Sequence, residues 1–152
     1  MKNNKPKKGF VLDMIKQLQV VHVRTRAIKQ MNSYIIVKGV NGNDDPLEIA
    51  IVVSDTSILA SELLDEFDAF NEFYGEIKGQ DALLELRAKV RAIRNAADRP
   101  KIPVIKEDDK VVDYDMGECK SAIVDVAALA HNVEYDLDKI MLKYVEQIDE
   151  KS

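Results

Sequence analysis

Cysteine and histidine are scarce in this chain: Cys119 stands alone, and His22 and His131 are the two histidines in 152 residues. One cysteine excludes an intrachain disulfide and fits a reducing cytoplasm. With so few soft ligands, a zinc site of the usual kind cannot be assembled within one chain. A metal would have to be Mg²⁺ or Mn²⁺ held by carboxylates. Long apolar runs are absent too, and none approaches the roughly 20 residues that cross a bilayer. The basic start "MKNNKPKKGF" is followed by no apolar stretch or small-residue cleavage site, so it does not read as a secretory signal. Glycine-rich phosphate loops are missing: after Asn41–Gly42 there is no glycine spacing and no Lys-Ser/Thr. The chain has no internal repeat. Its net charge of −5 disfavours a dedicated duplex-DNA binder.

What is present fits a globular domain, with 46% hydrophobic and 32% charged residues. Residues 1–9 carry Lys2, Lys5, Lys7 and Lys8 and read as a disordered basic tail; residues 10–152 read as a single domain. Over 10–31, Phe10, Met14, Leu18, Val21 and Ile28 form a helical stripe. The β-branched "VVHVRTRA" inside it also alternates like a strand, which leaves residues 19–27 open between the two, with helix favoured. His22 reads as a surface or boundary residue. "SYIIVKGV" (33–40) and "LEIAIVV" (47–53) read as strands joined by the "NGNDDP" turn, a hairpin whose second strand aligns Leu47, Ile49, Ile51 and Val53.

"SDTS" (54–57) offers N-cap oxygens for a helix to about 74, with Leu59, Leu63, Phe67 and Phe70 on its dry side. A helix over about 80–97 carries Leu83, Leu86, Val90, Ile93 and Ala97 inside and a basic ridge of Arg87, Arg91 and Arg94 outside. An acidic helix followed by a basic one predicts an antiparallel pair with complementary flanks; the ridge is also the candidate surface for phosphate. Pro100 and Pro103 break the pattern, with short strands expected at Val104–Ile105 and Val111–Val112. Asp115 and Glu118 read as a capping box for a helix to about 132. A last helix is expected from an Asp136 N-cap, burying Leu137, Ile140, Met141, Tyr144 and Ile148. The fold class is therefore α+β and mostly helical: four or five helices with one β-hairpin, at about 33–53, packed on the bundle.

"SELLDEFDAF" (61–70) is similar to the first acidic helix of the all-α NTP pyrophosphatases, the MazG-like family, and the stretch from Glu118 to Lys151 resembles that family's closing helices. The resemblance implies Mg²⁺ held by Glu62, Glu66 and Asp125, with Asp65 as catalytic helper or base and Arg87 or Arg91 on phosphate. Leu63 and Ala122 stand where the family places two further ligands. The leading expectation is a non-catalytic binding or regulatory protein, of the kind phages and mobile elements encode, without a cofactor and partnered by another protein or by itself. The alternative is a Mg²⁺-dependent nucleoside triphosphate pyrophosphohydrolase. A weaker one is nucleic-acid contact through the basic tail and Arg87, Arg91 and Arg94.

Overall fold

The computed structural model describes residues 8–74, 80–106 and 109–149. Among them the chain forms four helices and one two-stranded ribbon. The helices are α1 (Lys8–Val40), α2 (Pro46–Tyr74), α3 (Gln80–Asp98) and α4 (Met116–Asp149), and the ribbon is β1 (Lys101–Lys106) with β2 (Asp109–Tyr114). At 33 residues, α1 runs about 50 Å. It packs along α4 and beside α2, while α3 closes the bundle between α2 and α4. No described helix is long and apolar enough to cross a membrane.

The expected hairpin over 33–53 is overturned. Both of its strands are helical, 33–40 as the end of α1 and 47–53 as the start of α2, so the protein is a helical bundle rather than an α+β fold. Helical spacing explains why: Ile49, Val52, Val53, Thr56 and Ala60 are buried, while Leu47 and Ile51 of the supposed strand face are 70% and 50% exposed. Burial at i, i+3, i+4 and i+7 outweighs the β preference of branched side chains. The turn chemistry at Asn41–Gly42 is used, but between helices. Gly42 takes φ +79°, its N–H donates to Gly39 O, and Asn43 N–H donates to Lys38 O. That pair of bonds is the Schellman closure of a helix, in which only glycine adopts the left-handed position without cost. Asp45 then caps α2, its Oδ1 accepting from Leu47 N at 3.1 Å, with Pro46 in the first helical position.

Other boundaries move for the same reason. "SDTS" lies inside α2, where Thr56 Oγ1 donates to Val52 O. Asp136 does not start a helix; α4 runs through it, since no glycine or proline interrupts the chain beyond Gly117. Asp115 does cap α4, its Oδ1 accepting from Glu118 N at 2.9 Å. Residues 19–27 are helical. Of the expected tail, Lys8 and Gly9 open α1, and residues 1–7 lie outside the described residues. The strands sit in the proline-containing excursion, paired antiparallel with Val104 opposite Val111.

The main core joins all four helices through Met14, Leu18, Ile28, Leu63, Phe67, Leu86, Ile93, Val126 and Leu137. Phe10, expected on the stripe, is 39% exposed. A smaller cluster of Ile35, Ile49, Val53, Ala97, Cys119 and Ile123 fills the end near the ribbon. Between helices α1 and α2 lies a buried polar contact in which Asn32 Nδ2 donates to Thr56 Oγ1 at 3.0 Å.

Candidate functional site

The carboxylates singled out in the sequence lie apart in the fold. Glu62 and Asp65 are exposed on the outer face of α2. Glu66 turns toward α1, where its Oε1 accepts from Arg24 at 2.9 Å. Asp125, on α4, accepts from Arg99, which also binds Glu118 at 3.1 Å. Within the described residues, Glu62, Glu66 and Asp125 do not fall into one group able to grip an ion.

The basic ridge is partly engaged. Arg87 donates through Nε and Nη2 to the two oxygens of Asp68 on α2, at 2.7 and 3.2 Å. This two-point contact, helped by the charge of Arg91, holds the Asp68 carboxyl below the usual range. It is also the complementary pairing expected of an acidic helix beside a basic one. Arg91 is exposed, and Arg94 is half-buried beside Asp98.

An open groove of about 620 Å³ runs between α3 and α4, floored by Ala92, Ala96, Ala128 and Leu129 and edged by Arg99 and Asp125. Its small side chains leave a shallow trough rather than an enclosed cavity.

Helices α1 and α4 carry a cluster the sequence did not reveal. Glu134 and Asp138 stand four residues apart, on one face of α4, and His22 meets them from α1. His22 is 8% exposed, not a surface residue. Its Nε2 lies 2.8 Å from Asp138 Oδ1. That nitrogen is buried and has no hydrogen-bond partner. Glu134 Oε2 accepts from Lys29 at 3.3 Å, and Arg26 approaches Oε1 at 3.8 Å. The legible signal was the i, i+4 carboxylate pair; what joins it to His22 is the pairing of α1 with α4, which no local pattern encodes.

Where α1 turns into α2, large apolar side chains are exposed on either side of the polar turn Asn41–Asp45. Tyr34, Val37 and Val40 of α1 are 55%, 59% and 82% exposed, beside the exposed Leu47 and Ile51 of α2. Lys38 and Glu48, paired at 2.7 Å, hold the two helices together at this point.

No protein family matches the chain, and no curated protein and no solved structure matches it either.

Proposed function

We propose that this is a non-catalytic binding or regulatory protein of a reducing cytoplasm that acts through protein–protein contacts, self-association first among them. The observation that carries this reading is the turn end of α1 and α2. Ile35, Ile49, Val52 and Val53 fill the inside there, and Tyr34, Val37, Val40, Leu47 and Ile51 cover the outside. Large apolar side chains gathered on an exposed helical surface mark a site of contact with another protein. Scattered exposed apolar residues need no partner, but here five large ones fall within eighteen residues of one helical hairpin.

The pyrophosphohydrolase reading draws no support from its expected ligands, because Glu62, Glu66 and Asp125 do not converge into one group among the described residues. A nucleic-acid surface on α3 would have to compete with Asp68 for Arg87. Light scattering on the wild type and on Val37→Glu/Ile51→Glu tests the proposal. A wild-type dimer or larger assembly and a folded, monomeric double variant are expected. A wild-type monomer at every concentration would refute self-association.

A further inference from the structure

We propose that His22, Glu134 and Asp138 form a binding site for one divalent first-row transition ion of the zinc class, pinning α1 to α4. One ligand atom from each residue comes within 4.8 Å of the other two. The second observation is His22 itself. Its Nε2 is buried and without a hydrogen-bond partner although a carboxylate oxygen is 2.8 Å away. Imidazole nitrogen and carboxylate oxygen each stand about 2.0–2.2 Å from a bound ion, so two ligands at the tetrahedral angle around it are about 3.4 Å apart. The His22–Asp138 separation of 2.8 Å is shorter than that, so an ion entering between them has to move the exposed Asp138 carboxylate outward by about half an ångström.

The surroundings decide which ion. Lys29 and Arg26 both face Glu134. They orient its carboxylate, as outer groups commonly do around a metal ligand, and they repel a cation held by charge alone. That disfavours Mg²⁺ and Ca²⁺ and favours ions that bond strongly to imidazole, Zn²⁺ and Cu²⁺ above all. The Asp138 side chain is 60% exposed, so water can complete the coordination of an ion with three protein ligands. The site departs from the expectation of Mg²⁺ or Mn²⁺ held by carboxylates alone, because the buried His22 adds an imidazole to Glu134 and Asp138.

Isothermal titration of ZnCl₂ into chelator-treated protein tests the assignment, with Asp138→Asn as the main variant because its exposed side chain can be changed without disturbing the core. His22→Gln is the second variant and His131→Gln, altered at an exposed histidine, the control. One Zn²⁺ per chain is expected. Affinity should fall at least tenfold in Asp138→Asn and in any His22→Gln protein that folds, and stay unchanged in His131→Gln. MgCl₂ should give no saturable heat. Absence of Zn²⁺ binding, equal affinity in Asp138→Asn and wild type, or Mg²⁺ binding as tight as Zn²⁺ would overturn the proposal.

Discussion

Asn32 and Thr56, 24 residues apart, share a buried hydrogen bond of 3.0 Å that ties α1 to α2. Each also reaches back into its own helix, Asn32 to Ile28 O and Thr56 to Val52 O. The bond thus holds the helices in one register just below the apolar turn end.

Thr56→Val should destabilise the fold by about 1–3 kcal/mol, because the Asn32 amide keeps its burial and loses an acceptor. Adding Asn32→Leu should recover part of that loss, since both polar partners are then gone. Urea unfolding of the two single variants and the double variant measures this. Strictly additive losses would show that the two side chains do not act as a pair.

Phe67 is fully buried in the main core. Phe67→Ala should cost about 3–5 kcal/mol, read as a lower urea midpoint. A loss under about 1 kcal/mol would place that stripe outside the core.

Asp98 gives the acid limb of stability a specific cause. Burial works against its charge, but hydrogen bonds from Lys101 and Ser57 and the charges of Lys101 and Arg94 prevail, so its carboxyl titrates below the usual range. A carboxyl depressed in the folded state contributes stability above its unfolded pKa, about 3.9. That contribution is lost as pH falls through the lower folded value. The urea midpoint of the wild type should therefore drop more steeply below about pH 4 than that of Asp98→Asn. Parallel pH profiles would contradict this.

Helix capping supplies another test. Asp45→Ala removes the acceptor for Leu47 N and should cost about 0.5–2 kcal/mol. Asp45→Asn, which keeps an acceptor oxygen, should stay close to wild type.

How far the sequence can be read follows from these particular residues. The stripes Leu63–Phe67–Phe70 and Leu83–Leu86–Val90–Ile93 are legible because each is a one-sided apolar face, and all seven residues are buried. The Asp115 cap was legible from its type and its spacing to Glu118. Residues 33–53 misread because apolar side chains occur on the exposed side as well as the buried one, Tyr34, Val37, Leu47 and Ile51 outside and Ile35, Ile49, Val52 and Val53 inside, which blurs the 3.6-residue period, and their Val and Ile content resembles a strand. The informative detail there is "DPLE" at 45–48, an aspartate N-cap followed by proline and, three residues on, glutamate, which marks a helix start. His22 was illegible because its partners lie more than a hundred residues away on α4.

The central claim is that the outer face of the α1–α2 turn meets a second copy of the chain. Single cysteines placed at exposed positions test it directly, with Cys119 left in place because it is buried. Val40→Cys, at the 82% exposed tip, is compared with Leu84→Cys, at a 49% exposed site on α3. Under mild oxidation at micromolar concentration, Val40→Cys should be trapped as a covalent dimer, while Leu84→Cys and the wild type stay uncrosslinked. Equal trapping at Val40 and Leu84, or none at Val40, would contradict the account.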